Sequence, residues 1–129
     1  MVMSIDTGWT KIKTKVYLAG PMRNIPYFNF PAFFAAALTL RKQGYEVFNP
    51  AENDVKNHGE AAYINNHTGS LTQAASDSGF SLREALRDDT EWICINADAI
   101  AMLPGWENSK GATAEKALAE ALSLKVIYL

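Results

Sequence analysis

The chain has 129 residues, of which 48% are hydrophobic and 20% charged, a composition typical of one folded domain and not of a disordered tail. Twelve Lys and Arg against fourteen Asp and Glu leave a net charge of −2, without the basic excess that a nucleic-acid polymer requires. The longest apolar run, Ala32 to Leu38, is far shorter than the roughly 18 residues of a membrane span. We therefore expect a soluble, cytoplasmic, single-domain protein (1–129) with neither a nucleic-acid nor a membrane partner.

The first half of the chain has the pattern of a strand, a helix and a second strand. Residues 1–14 show no clear period and are expected to form a frayed start or a short edge strand. The continuous apolar run Val16 to Ala19 predicts a strand buried on both faces, as in parallel sheets. Helical spacing of apolar residues then runs from Asn29 to Gly44, and Tyr45 to Phe48 predicts the second strand.

The second half repeats this alternation after a polar stretch. Residues 51–80 are interpreted as a substrate loop or lid, with a short helix around Glu60 to Ile64 as the alternative. Ser81 is a candidate N-cap of a helix that extends to about Asn96, and Ala99 to Leu103 predicts a third strand. Val126 to Leu129 predicts the last strand. The helix before it is expected to bury an apolar face formed by Ala114, Ala117, Leu118, Ala121 and Leu122.

This order of elements predicts an α/β fold, a Rossmann-like open sheet of four to five mostly parallel strands with helices on both faces. Cys94 lies in an apolar run, which favours a buried and unreactive thiol. His58 and His67 share no metal-ligand spacing with a cysteine or an acidic cluster. We expect neither a metal nor a cofactor.

Ligands of open α/β sheets bind beyond the carboxyl ends of the strands, so the informative segments are 20–23, 49–52 and 104–115. The last of these passes from strand to helix through Ser109 and Gly111, which presents free backbone N–H groups to an anion. The GxGxxG and GxxxxGK[ST] patterns are both missing, which argues against NAD binding and ATP hydrolysis.

Three charged residues near these segments each allow two interpretations. Glu115, in the first turn of the last helix, either stabilises the helix dipole or directs a carboxylate into the crevice, and periodicity alone favours the dipole. Asp89 is either solvated or a second carboxylate of the site, and composition alone favours the solvated position. Arg23 is either a surface cation or a clamp for phosphate.

Four short motifs occur in order along residues 15–129, with only 51–80 lying outside the pattern. They are Tyr17-Leu18-Ala19-Gly20-Pro21-Met22-Arg23, Asp89-Thr90-Glu91-Trp92, Ala97-Asp98, and Ser109-Lys110-Gly111-Ala112-Thr113-Ala114-Glu115. In these motifs the chain resembles the nucleoside 2-deoxyribosyltransferase superfamily. The resemblance implies that Glu115 is the nucleophile on the anomeric carbon, that Asp89 contacts and helps to protonate the leaving base, and that Tyr17 orients the nucleophilic carboxylate through its hydroxyl.

Ser109 separates two branches of that superfamily. Transferases acting on free nucleosides carry an aspartate six residues before the nucleophile, whereas this chain resembles the hydrolases of deoxynucleoside 5′-monophosphates, which carry a serine there. A hydroxyl in place of a carboxylate removes repulsion toward a phosphate dianion and adds a donor. The resemblance implies that phosphate is held by Ser109, Gly111, Gly20 and Arg23. Pro21 is a departure, because those hydrolases have a small residue that donates its N–H.

The remaining candidates for substrate binding are Met22, Asn49 and Trp106, which lie in the segments at the strand ends, and Asp98 of the Ala97-Asp98 motif. Trp106 is also a candidate for stacking on the base, with Tyr27 and Phe28, whereas Phe30 and Phe33 are expected in the core.

The function expected from the resemblance is that of an N-glycosidase cleaving the base–sugar bond of a (2′-deoxy)nucleoside 5′-monophosphate. Its partner would be a small-molecule nucleotide or nucleoside, and we expect a homo-oligomer, a dimer or higher. The alternatives are a 2-deoxyribosyltransferase that exchanges bases, a ribonucleotide phosphoribohydrolase, suggested by residues 103–115, and a non-catalytic nucleotide-binding protein. A further alternative is a structural domain whose 51–80 segment binds a partner. The sequence does not identify the base.

Overall fold

The computed structural model describes residues 12–129, so most of the predicted start at 1–14 lies outside the described residues. In this part of the chain, four parallel strands form one sheet in the order β2-β1-β3-β4. Their bounds are β1 Lys15–Ala19, β2 Glu46–Phe48, β3 Ala99–Met102 and β4 Lys125–Tyr128. The predicted Rossmann-like α/β fold is confirmed.

Within residues 12–129, five α-helices connect and cover the strands. Their bounds are α1 Phe30–Lys42, α2 Pro50–His58, α3 Leu71–Ser78, α4 Leu82–Asn96 and α5 Lys110–Ala121. Single 3₁₀ turns occupy Glu60–Ala62 and Trp106–Asn108, and Pro26–Asn29 forms a turn that contains left-handed residues. Within residues 12–129, none of these helices combines the length and the hydrophobicity needed to traverse a bilayer.

The sheet has a buried core on each face because successive strand residues point to opposite sides. Val16 and Leu18 of β1 pack with side chains of α1, α2 and α3 on one face. Tyr17 and Ala19 point to the other face and pack with Ile93 of α4 and with α5. Residues 16–19 of β1 and all of β3 are therefore buried, as the continuous apolar runs predicted.

The interpretation of 51–80 as a loop is wrong over most of its length, because α2 and α3 occupy it. Asn49 caps α2 by accepting a hydrogen bond from the Ala51 N–H, and Pro50 stands at the first helical position. Ser70 caps α3 by accepting from the Gln73 N–H. These caps fix short helices whose polar surfaces give little apolar periodicity.

Two predicted burials are also wrong. In α5 the buried positions are Ala112, Glu115 and Ala119. The expected apolar face, which includes Ala114, is exposed apart from half-buried Leu118. The small alanines fit either side of a helix, so their spacing does not determine which side packs on the sheet. Cys94 is exposed, because Ile93 faces the sheet and the next residue lies about 100° further round the helix.

Candidate functional site

A cavity of about 350 Å³ opens at the carboxyl edge of the sheet. It lies where β1 and β3 end and where α5 begins, which is the position expected for a ligand in an open parallel sheet. Nine of the predicted site residues line it: Tyr17, Gly20, Pro21, Met22, Arg23, Asp89, Ser109, Gly111 and Glu115.

Tyr17 and Glu115 are joined at the bottom of this cavity. The Tyr17 hydroxyl donates a hydrogen bond to Oε2 of Glu115 over 2.7 Å, and both groups are buried. The ring of Tyr17 stacks on Phe48 at 5.7 Å between centroids and contacts Trp92 at 6.5 Å. These aromatic neighbours fix the ring, so the hydroxyl holds the Glu115 carboxyl in one orientation.

Asp89 is the second carboxyl in this part of the cavity. It projects from α4 and is only 7% exposed, and the solvated position favoured by composition is therefore wrong. Its Oδ1 atom is buried and has no hydrogen-bond partner among residues 12–129. A buried oxygen without a partner is costly in a folded protein, and a ligand that donates a hydrogen bond would satisfy it.

Both carboxyls have raised pKa values, mainly because they are buried. Burial raises the pKa of Glu115 to about 8, the charge of Asp89 adds to this rise, and the hydrogen bond from Tyr17 opposes it. Burial raises the pKa of Asp89 to about 7, where the Tyr17 hydroxyl opposes the rise and the neighbouring Asp88 charge adds to it. Burial and the two carboxylates raise the pKa of the Tyr17 phenol, so it stays a proton donor.

The mouth of the cavity carries positive charge. Ser109 caps α5, its Oγ accepting the Ala112 N–H at 3.1 Å, and Lys110 and Gly111 form the first turn of the helix. The exposed side chains of Arg23 and Lys110 line the same mouth. A helix N-terminus beside two cations favours an anionic group.

Gly20 has a packing reason to be glycine. A Cβ atom on this residue would lie 2.7 Å from Cβ of Leu103, which follows β3. The backbone of the first motif therefore approaches the neighbouring strand end more closely than any side chain permits.

A left-handed turn forms part of the aromatic wall. Tyr27, Phe28 and Asn29 all have positive φ angles of 52 to 61°, which is unfavourable for residues other than glycine. The turn is held by a hydrogen bond of 2.7 Å from the Tyr27 N–H to the Asn66 carbonyl and by one from Asn29 Nδ2 to the Pro21 carbonyl. It directs Phe28 into the cavity, where its ring contacts Phe80 at 6.1 Å.

Four predicted ligand contacts lie elsewhere. Asn49 is buried as the cap of α2 and also donates to the Phe33 carbonyl. Asp98 precedes β3, so its Oδ2 accepts the Lys15 N–H at the opposite edge of the sheet. Trp106 lies against Tyr128 and the Lys116 ammonium, and Tyr27 hydrogen-bonds through its hydroxyl to His67. None of these four residues lines the cavity. Phe30 and Phe33, which were expected in the core, do line it.

Several cavity residues were not predicted from the sequence. Asp54 of α2 is a third buried carboxyl, and Phe80 and Leu86 add to the apolar wall. Asp54 belongs to the segment interpreted as a loop, where nothing in the pattern distinguished it from a solvated acid. Within residues 12–129, no group of three or more His, Cys, Asp or Glu side chains has the geometry of a metal site.

The fold and the site define a class: a Rossmann-like α/β protein with a buried carboxyl pair at the carboxyl edge of its sheet. The chain belongs to the family described as "Domain of unknown function (DUF4406)", whose model matches residues 14–128. No curated protein matches the sequence. The chemistry of the cavity is therefore what indicates a function.

Proposed function

We propose that this protein is an N-glycosidase that cleaves the base–sugar bond of a (2′-deoxy)nucleoside 5′-monophosphate. The observation that carries the proposal is the buried pair of carboxyls, Glu115 and Asp89, in one cavity, with Glu115 held by the Tyr17 hydroxyl at 2.7 Å. Two carboxyl groups at one site are what cleavage of a glycosidic bond requires.

The carbon–nitrogen bond of a nucleotide breaks through a state in which the sugar resembles an oxocarbenium ion. Glu115 forms a bond from its carboxylate oxygen to C1′ or stabilises the cation by its charge, while the C1′–N electron pair moves to the base. Asp89 gives its proton to the departing nitrogen. Water then attacks C1′ and gives a proton to Asp89, and where the bond from Glu115 to C1′ has formed it breaks with its electron pair returning to the carboxylate. The sugar phosphate is released and both carboxyls are restored.

The raised pKa values of the pair keep a proton at the site. Because the pKa of Glu115 is raised to about 8 and that of Asp89 to about 7, the pair retains at least one proton near neutral pH. In the free protein Glu115 has the higher pKa, although the hydrogen bond from Tyr17 opposes the rise. In the proposed reaction the positive charge that develops at C1′ favours the carboxylate of Glu115, so the proton is held by Asp89. One carboxylate and one carboxylic acid are the forms that the reaction needs.

The two ends of the cavity support a nucleotide substrate. Arg23, Lys110 and the first turn of α5 provide charge and N–H donors for a 5′-phosphate. Ser109 uses its oxygen to cap the helix and still has its hydroxyl proton to donate. At the other end, Phe28, Phe80 and Leu86 offer an apolar wall for a flat base.

The test is incubation with a panel of nucleosides and 5′-monophosphates, each with and without a second free base, followed by chromatography of the bases. Release of free base from a 5′-monophosphate supports the proposal. Reaction only when a second base is present would instead indicate base exchange. Thermal stabilisation by nucleotides without base release would indicate a non-catalytic binding protein, and no stabilisation at all would favour a structural domain.

A further inference from the structure

The loop between β1 and α1 carries contacts for both ends of the proposed substrate. Residues 21–29, which we call the binding loop, line the cavity through Pro21, Met22, Arg23, Asn24 and Phe28. Arg23 lies at the mouth, where the phosphate is proposed to bind, and Phe28 belongs to the wall proposed for the base. The position of this one loop therefore affects both contacts.

The backbone of the binding loop is strained. Asn24, Tyr27, Phe28 and Asn29 all have positive φ angles, between 52 and 67°. This left-handed region is unfavourable for bulky side chains such as those of Tyr27 and Phe28, and residues remain in it only where their surroundings hold them. The loop therefore needs contacts from outside to keep this conformation.

These contacts come from residues 66–70, which immediately precede α3 and which we call the anchor segment. The Tyr27 N–H donates to the Asn66 carbonyl at 2.7 Å. The Asn24 N–H donates to the Gly69 carbonyl at 2.9 Å. The anchor segment thus binds the backbone of two left-handed residues in the binding loop.

The anchor segment is itself ordered by the side chain of Asn66, which is only 1% exposed. Its Nδ2 donates to the Ser70 carbonyl and its Oδ1 accepts the Ser70 N–H, both at 2.8 Å. These two hydrogen bonds give each polar atom of the buried amide a partner and close the segment on itself. They therefore fix the Asn66 carbonyl that receives the Tyr27 N–H.

Gly69 lets the two segments approach more closely than any side chain would allow. Its φ angle is +71°, and a Cβ atom there would lie 2.6 Å from the Ile25 nitrogen and 2.8 Å from the Asn24 nitrogen. Both distances are shorter than van der Waals contact. Because the atoms in the way belong to the backbone, a side chain at this position would displace the binding loop.

Resting on the proposed function, we infer that Asn66 and Gly69 are positioning residues for substrate binding. They hold the binding loop with Arg23 and Phe28 at the cavity before the nucleotide arrives. Neither Asn66 nor Gly69 lines the cavity, so both act through the loop. A loop that is ordered in advance loses less conformational freedom on binding, which raises the affinity.

The anchor segment is expected to affect binding and not the chemical step. The reacting carboxyls of Glu115 and Asp89 belong to α5 and α4, and Tyr17 belongs to β1. Release of the binding loop leaves these elements in place, so it raises KM and leaves kcat nearly unchanged. A merely structural role would show the opposite, because a smaller number of folded molecules lowers the apparent kcat and leaves KM unaltered.

The experiment measures kcat and KM for wild type, Gly69→Ala and Gly79→Ala, with the 5′-monophosphate that is cleaved fastest. Gly79 is the matched control, because its φ angle is +73° and a Cβ atom there would meet nothing within 4 Å among residues 12–129 beyond its neighbours in the chain. Gly69→Ala is expected to raise KM about tenfold or more, with kcat within about threefold of wild type. Gly79→Ala is expected to keep both constants within about twofold.

Asn66→Ala tests the anchor segment through its other contact, and it decides the question if Gly69→Ala does not fold. It removes both hydrogen bonds to Ser70 without adding an atom. We expect the same rise in KM, and exchange of the Tyr27 amide with solvent at least about tenfold faster than in wild type. A KM within about twofold of wild type in the folded variants, with or without a lower kcat, would overturn the inference while leaving base release intact.

Equilibrium binding separates this inference from the proposed function. If no nucleotide is cleaved, the proposed function fails, and the panel of 5′-monophosphates is titrated calorimetrically into wild type, Gly69→Ala and Gly79→Ala. Binding that is weakened about tenfold or more in Gly69→Ala alone would still support the positioning role. Equal affinities in the three proteins, or no binding by wild type, would overturn it.

Discussion

The hydroxyl of Tyr17 lies 2.7 Å from Oε2 of Glu115, which joins the central strand β1 to the helix that follows β3. The two residues are 98 positions apart in the chain, and only the parallel pairing of β1 with β3 brings their elements together. The contact orients the carboxyl at the centre of the proposed reaction and favours its charged form, against the opposing effect of burial.

Tyr17→Phe is expected to lower base release about 10- to 100-fold at neutral pH. Without the hydroxyl, the pKa of Glu115 rises further, so the acidic limb of the pH–rate profile moves to higher pH. Steady-state rates across pH measure both effects. Tyr45→Phe is the control, because Tyr45 packs on the other face of the sheet, and a Tyr17→Phe profile that matches its profile would contradict the assignment.

Ser109→Asp tests the phosphate end of the cavity. Aspartate is as good an N-cap as serine, so α5 is expected to form, but its carboxylate would face the substrate phosphate. We expect KM for a 5′-monophosphate to rise at least about tenfold while the free nucleoside is unaffected or improved. Ser81→Asp, at the cap of α4 outside the cavity, should leave both values unchanged. Equal losses for nucleotide and nucleoside in Ser109→Asp would exclude a specific phosphate contact.

The stability of the free protein should fall as pH rises from 6 to 9. The pKa values of Asp54, Asp89 and Glu115 are raised to about 8, 7 and 8, so the folded state binds more protons than the unfolded chain between about pH 4 and 8. The stabilisation is thus complete below the pKa values that these carboxyls have in the unfolded chain. It is lost as the pH rises through the pKa values that they have in the folded protein. We expect a decrease of at least about 2 kcal/mol in the free energy of unfolding.

Urea unfolding at several pH values measures this decrease. The double variant Asp54→Asn with Glu115→Gln should have a flatter profile, because two of the three groups no longer titrate. Glu52→Gln with Glu120→Gln is the matched control, since both of its carboxyls lie on the surface. Wild-type stability that stays constant or increases over this range would show that the three carboxyls are not buried in neutral form.

Much of the fold was predictable because its strongest signals are local. The apolar runs ending at Ala19 and Leu103 identify strands buried on both faces, and the Ser81 cap with Glu84 marks the start of α4. Helices α2 and α3 were missed because their polar residues hide the apolar period.

The candidate site was predicted in part for a similar reason. The resemblance supplied Glu115, Asp89 and Tyr17, which lie in motifs at the ends of strands or on the helices beside them. Asp54 has no motif, and its burial depends on how α2 packs beside α4, a tertiary property that no local pattern encodes. Asp98 was misassigned because a motif position does not indicate which end of a strand it occupies.

The central claim is that the Glu115 carboxylate drives base release. The most direct measurement is the rate of base release from a 5′-monophosphate by wild type, Glu115→Gln and the matched control Glu120→Gln, which changes an exposed carboxyl on the same helix. We predict a loss of at least about 10³-fold for Glu115→Gln and a change within about twofold for Glu120→Gln, with circular dichroism unchanged in both. Base release by Glu115→Gln at the wild-type rate would contradict the account.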